Sequence, residues 1–176
     1  FDIMKDVVSI SSAARMKGKL KRRWPLNEAQ ICVKKGQKAK LESLSELLQS
    51  QLNVEKFSII ETENGSGLEQ VLELKRLGLP VKGIVELERK RIGPKAKQHM
   101  GKLVSTFNET DPEEIISSLQ KESKYDFDID GEIISLDRED FIIDFNASEN
   151  FAVAKRDNYI VLYRHCKRYY TFINHA

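Results

Sequence analysis

Residues 11–33, SSAARMKGKLKRRWPLNEAQICV, decide how the chain is read. They describe the end of a helix, a basic connector and the start of a strand. Arg15, Lys17, Lys19, Lys21, Arg22 and Arg23 place six cations in nine residues, and no acid follows until Glu28. Trp24 comes next, and Pro25-Leu26 closes the run. Like charges crowded in this way repel one another. A phosphate backbone relieves that repulsion and releases counterions, so the cluster points to a polyanion contact. For any single member the alternative is a solvated helix end whose cations answer the macrodipole. Trp24 also has two readings: stacking on a base, or packing at a domain junction.

Upstream, Ile3, Val7, Ile10 and Ala14 share one face at helical spacing, which predicts a helix over 2–17 ended by Gly18. One helix cannot bury its own stripe, so its packing partners are expected elsewhere, residues preceding Phe1 among them. Downstream, residues 28–34 alternate as a strand, residues 38–52 carry a leucine stripe, and residues 55–61 read as a second strand. Strand, helix and strand at this spacing make a βαβ-sized unit, so a mixed sheet is expected. Residues 68–77, bounded by Pro80, lean to helix. Val81 to Arg89 alternates as a strand, and Gly93-Pro94 is expected to open a helix running to Phe107. Lys90, Arg91, Lys95, Lys97 and Lys102 make its start and one side basic, or simply solvated.

Thr110-Asp111-Pro112-Glu113-Glu114 is a helix start with a cap, a proline in the first turn and acids on the dipole. Beyond it the period changes to two. Asp130-Gly131 is a type I′ hairpin signal. Strands are expected over 139–146, 151–156 and 159–165, the last two joined at Asp157-Asn158. This makes the C-terminal part a small antiparallel β unit, with residues 167–176 left without an assignment. The fold class is α+β: a leading helix, a small mixed α/β module over 25–107, and a helix-plus-antiparallel-β module over 108–176.

Charge divides along the chain. Residues 1–107 hold 21 Lys and Arg against 12 Asp and Glu, while residues 108–176 hold 8 against 15. Polyanion contact is therefore expected through the first part only. At 176 residues the chain is long enough for one domain or two small ones. Cys32 and Cys166 form no CxxC pair, which argues against structural zinc. Cys32 lies in an apolar strand pattern and reads as a small buried hydrophobe. No apolar run reaches the span of a membrane helix. The chain starts on Phe1 rather than Met and is expected to be cut from something longer. His99, His165 and His175 sit in no catalytic or metal spacing, and no Gly-rich phosphate loop follows a strand. Asp126, Asp128, Asp130 and Glu132 imitate the start of a calcium loop, but its twelfth position is Asp137 rather than Glu, and a hairpin face explains the alternation. No active site and no metal site are expected.

Four blocks taken in order resemble the C-terminal region of isoleucyl-tRNA synthetases of the archaeal and eukaryotic cytosolic type. They are VVSISSAARMKGKLKRRWPLNEAQICV, LNVEKFSII, VELERKRIGPKAKQHMGKLV, and EEIISSLQKESKYDFDIDGEIISLDREDFIIDF followed by FAVAKRDNYIVLY. The order covers most of residues 5–163, and the chain departs from the pattern after Val161. The resemblance implies a class I enzyme with a Rossmann catalytic domain bearing HIGH and KMSKS signatures, a helical anticodon-binding domain, and C-terminal modules that hold tRNA. Neither signature occurs here. A fragment without catalytic activity is therefore implied. ATP and Mg belong to the parent enzyme, and the fragment needs no cofactor.

By the same resemblance, residues 1–24 match the last helix and basic connector of the anticodon-binding domain. The implied partners are tRNA(Ile) and the rest of the synthetase by intramolecular packing, in the cytoplasm, with no membrane. Arg15, Lys17, Lys19, Lys21, Arg22, Arg23 and Trp24 would meet the tRNA, and Lys95 and Lys97, at a helix N-terminus, would hold a second phosphate. The rival readings are a stand-alone protein-interaction module without RNA binding, and the same region of a valine- or leucine-type synthetase.

Overall fold

The computed structural model describes residues 2–63, 65–156 and 159–164. Its elements are α1 (Asp2–Lys17), β1 (Leu26–Lys34), α2 (Lys38–Glu42), α3 (Ser45–Leu52), β2 (Val54–Thr62), α4 (Gly67–Arg76), β3 (Val81–Leu87), α5 (Arg89–Ala96), α6 (Met100–Glu109), α7 (Pro112–Glu122), β4 (Lys124–Ile129), β5 (Glu132–Asp137), β6 (Phe141–Ala147), β7 (Phe151–Arg156) and β8 (Tyr159–Arg164). The class is α+β. Contacts divide the chain into two units. The first draws on Phe1–Gly65, Glu73–Val81 and Ala147–Ala176, and the second on Ser66–Leu72 and Lys82–Asn146. The break expected between residues 107 and 108 is not where these contacts divide.

The first unit is built on a four-stranded sheet in the order β2-β1-β8-β7. β1 and β2 run parallel, with Leu26 opposite Val54 and Lys34 opposite Thr62. The α2–α3 crossover between them makes the βαβ unit. β8 then pairs antiparallel with the other side of β1, Ile31 facing Val161, and β7 closes the edge. The expected C-terminal β unit is thus split: β7 and β8 complete the sheet begun by β1. Both strands carry apolar residues, and β8 is buried from Tyr159 to Tyr163, as a central strand covered on both faces must be. The hairpin turn expected at Asp157-Asn158 lies outside the described residues, as do His165, Cys166 and the final segment.

Ala29, Ile31 and Val33 present one face of β1 to a core shared with Val7, Ile10 and Ala14 of α1, Leu41 of α2, Leu48 and Leu52 of α3, and Val161 and Tyr163 of β8. α1 finds downstream in the chain the packing partners it was expected to need. Its stripe is buried within this unit, with Val7 and Ala14 fully inaccessible. Cys32 alternates to the opposite face. Burial, helped by the Glu73 carboxylate, pushes its thiol up to about 12, so it is a packing residue rather than a nucleophile. The single helix expected over 38–52 is two helices. Leu44 leaves helical geometry between them, and the Ser43 hydroxyl donates to the Lys40 carbonyl.

In the second unit β3 pairs with β6, and β4 with β5. The β4–β5 turn has Asp130 at φ 56° and Gly131 at φ 86°, the two left-handed residues of a type I′ turn. Gly83 in β3 is required by close packing: a Cβ there would lie 2.0 Å from Ile116 Cδ1 of α7. Its N–H donates to Glu113 Oε1 at 2.9 Å. The helix expected from Pro94 to Phe107 begins earlier and breaks. α5 starts at Arg89, with the Glu88 side chain as cap, and carries Pro94 inside. Lys97, at φ 45° and ψ −121°, ends it before α6 resumes.

Asp140 organises this unit's charges. Its buried carboxylate takes the Asp137 N–H at 2.8 Å and the Lys95 ammonium, while Arg91 Nε lies 3.6 Å from Oδ1. Burial opposes ionisation, but the Lys95 and Asp137 hydrogen bonds and the charges of Lys95 and Arg91 outweigh it and hold the carboxyl below its ordinary value.

Two outcomes follow. Ile10→Ala should destabilise the first unit by about 2–5 kcal/mol in denaturant unfolding; Met16→Ala, at a position 80% exposed, should stay within about 0.5 kcal/mol. A depressed folded pKa means that the Asp140 contribution is whole above the unfolded carboxylate value of about 3.9 and is lost as pH falls through the folded value. Asp140→Asn should therefore lower Tm at neutral pH and flatten its decline below about pH 4.

Candidate nucleic-acid interface

The basic connector starts at a helix end of defined geometry. Lys19 N–H bonds the Met16 carbonyl at 3.1 Å, and Leu20 N–H reaches back to Arg15 at 2.8 Å. This is a Schellman closure, with its left-handed position filled by Lys19 at φ 55° rather than by glycine. Gly18, expected to end the helix, sits one residue earlier. Leu20, 7% exposed, anchors the turn in the core.

Arg15 does not join the surface cluster. It is 4% exposed, and its guanidinium carbon lies 5.0 Å from the Tyr163 ring centroid. Nη1 donates to the carbonyls of Lys21 at 3.1 Å and Trp24 at 2.9 Å. Nη2 donates to those of Leu52 at 2.7 Å and Asn53 at 3.0 Å. One cation thus ties both ends of the Lys21–Trp24 turn to the last turn of α3, where the negative dipole end favours a cation. The Tyr163 hydroxyl is hydrogen-bonded to Ser11; burial pushes this phenol up against the opposing pull of Ser11 and Arg15. The helical series Val7, Ser11, Arg15 is the sequence signal for this burial, since residues four apart share a face.

Asn53 is a second support that the sequence did not single out. It sits at φ 50°, ψ 58° and caps α3. Its Nδ2 donates to the Arg22 carbonyl at 3.1 Å, and its own carbonyl takes the Leu26 N–H at 3.1 Å. The carbonyls of Lys21, Arg22 and Trp24 are therefore all consumed by protein donors. Lys17, Lys19, Lys21, Arg22 and Arg23 remain exposed. Among the described residues, none of these five has a carboxylate within 4.0 Å. Trp24 is half-buried, and the Lys21 ammonium lies 5.2 Å above its ring. A base stacking on that face would have to displace Lys21.

Lys95 and Lys97 belong to the second unit and are not at the N-terminus of α5 or α6; Lys97 opens a single 3-10 turn, Lys97–His99, between them. Lys95 is in the last turn of α5, and Lys97 follows it. Lys95 is held by Asp137 at 2.9 Å and by Asp140. Its charge is already answered inside the protein, whereas Lys97 is exposed. The calcium-like acids are answered too. Asp126 meets Lys124 and Ser135, Asp128 accepts from Gly131 N–H, and Asp130 pairs with Lys102. Among the described residues no group of three or more metal-ligating side chains comes together, and no helix is long and apolar enough to cross a membrane. A cleft of about 380 Å³ lies along the end of α3, lined by Glu46, Gln49, Ser50, Asn53 and Val54. Neither histidine nor cysteine lines it.

No protein-family model matches the chain. It is 27% identical over 154 residues to the isoleucine–tRNA ligase of Methanothermobacter marburgensis. The match takes in 88% of this chain and 13% of the ligase. The similarity supports a relation to that enzyme and places the chain against a small part of its length.

Proposed function

We propose that the chain is a tRNA-binding C-terminal region of an isoleucine–tRNA ligase, which positions tRNA(Ile) for aminoacylation by a catalytic domain elsewhere in the enzyme. The observation that carries this reading is the set of five exposed cations, Lys17, Lys19, Lys21, Arg22 and Arg23, which have no acidic partner among the described residues, beside a turn whose Lys21, Arg22 and Trp24 carbonyls are taken by Arg15 and Asn53. The ligase similarity supports it. Phosphate contacts of this kind fix the register of an RNA; they do not read its bases. ATP and Mg chemistry falls to the parent enzyme. The reading leaves Arg15 and Lys95 out of the contact set. Trp24 takes part only where a base replaces Lys21 on its ring.

Binding of the chain to isoleucine tRNA should weaken with salt, with a log–log slope of about 3.5–4.5 for five phosphates on a single-stranded or duplex backbone. Reversing Lys21, Arg22 and Arg23 to Glu should abolish binding at moderate salt; unchanged affinity would sink the reading and favour a protein partner. Lys19→Gly gives a second check. Glycine removes the left-handed penalty, so stability should rise by about 1 kcal/mol, while the salt slope falls by about 0.7–0.9. Thermal unfolding and filter binding read the two effects separately.

A further inference from the structure

We propose that Arg15 and Asn53 are positioning residues for RNA binding, acting from inside the protein by fixing the Lys21–Trp24 turn through its carbonyls. The inference rests on the reading that this turn meets RNA. Sequence spacing puts Arg15 in the middle of the cation cluster, yet its guanidinium is buried and spread over four carbonyls. No phosphate reaches it without breaking those bonds.

Three of the four residues from Lys21 to Trp24 have carbonyls held by Arg15 or Asn53. The Trp24 N–H closes the turn on the Lys21 carbonyl at 3.0 Å. Two consequences follow. Carbonyl dipoles that would repel a phosphate are turned away from the exposed side chains. The backbone carrying Lys21, Arg22 and Arg23 is also ordered before binding, so its ordering entropy is not charged against affinity. The anchor is the C-terminal turn of α3, a rigid element whose Leu48 and Leu52 are fully buried. Contact with RNA is thereby tied to the packing of the βαβ unit.

The test separates positioning from contact. Asn53→Gly keeps the left-handed backbone and removes only the amide that holds the Arg22 carbonyl. Arg15→Gln removes the fork and its charge. Each is measured for isoleucine-tRNA affinity across a salt series, well below its Tm. Trp24, the single tryptophan, reports the order of the turn by quenching with neutral acrylamide.

Asn53→Gly should weaken binding about three- to tenfold with an unchanged salt slope and more quenchable fluorescence. Arg15→Gln should weaken it further, again without lowering the slope. Arg22→Gln, a contact residue, should lower the slope by about 0.7–0.9 and leave Trp24 quenching unchanged. A slope lowered by Arg15→Gln would make Arg15 a phosphate ligand and overturn the proposal. Wild-type affinity in Asn53→Gly would overturn the positioning role while leaving the RNA reading intact. Absence of salt-sensitive binding in the wild-type chain would remove the RNA reading and this role with it.

Discussion

A guanidinium taken out of water has to place its N–H groups on acceptors, and Arg15 places its two terminal nitrogens on four carbonyls from two separate segments. The cost of burying this charge is offset by four hydrogen bonds to carbonyls, two of which, those of Lys21 and Asn53, also accept a backbone N–H. Leu52 and Asn53 end α3, and helix ends leave carbonyls unpaired. Lys21 and Trp24 bound a turn with no ladder of its own. One side chain thus joins two backbone segments through their carbonyls. The Tyr163 ring closes the other face of the guanidinium at 5.0 Å, so the last described strand also takes part. Helix, connector, crossover and returning strand meet at that point.

This convergence follows from the position of β1. A strand paired parallel on one side and antiparallel on the other needs two different continuations of the chain. The parallel partner arrives locally, through the α2–α3 crossover. The antiparallel partner lies beyond residues 82–146, which make up most of the second unit. Sheet closure in the first unit is therefore non-local in sequence, and contacts of this kind bear the larger loop-closure cost. α1 depends on that return: Val7, Ile10 and Ala14 share their core with Ala152 and Ala154 of β7 and with Val161 and Tyr163 of β8.

What the sequence made legible was mostly local. The α1 stripe, the β1–β2 pair, the α7 cap at Asp111 and the Asp130-Gly131 turn each rest on near-neighbour chemistry, and each is present in the fold. Partner choice was not local. The run Tyr159-Ile160-Val161-Leu162-Tyr163 has no polar alternation, the mark of a central strand, but nothing in it names β1 as the neighbour. Pro94 read as a helix start because proline suits a first turn; the Glu88 side chain caps the helix earlier, and the turn is completed despite the missing N–H. At the candidate site, the cluster was visible as composition. The exception within it was visible only as spacing, since Arg15 lies four and eight residues beyond Ser11 and Val7.

The same distinction explains why a count of charges along the chain is a poor map of its electrostatics. The second unit holds many cations, but Lys95, Lys102 and Arg91 each end on a carboxylate of that unit. Such pairs largely cancel at a distance of a Debye length. Among the described residues no carboxylate lies within 4.0 Å of the exposed cations from Lys17 to Arg23, and the Arg15 and Asn53 donors that reach the turn are spent on its carbonyls. A surface attracts a polyanion through charge that the protein has left unanswered, not through charge it contains. By that measure the proposed polyanion contact rests on a single turn between α1 and β1, held from beneath by the buried Arg15.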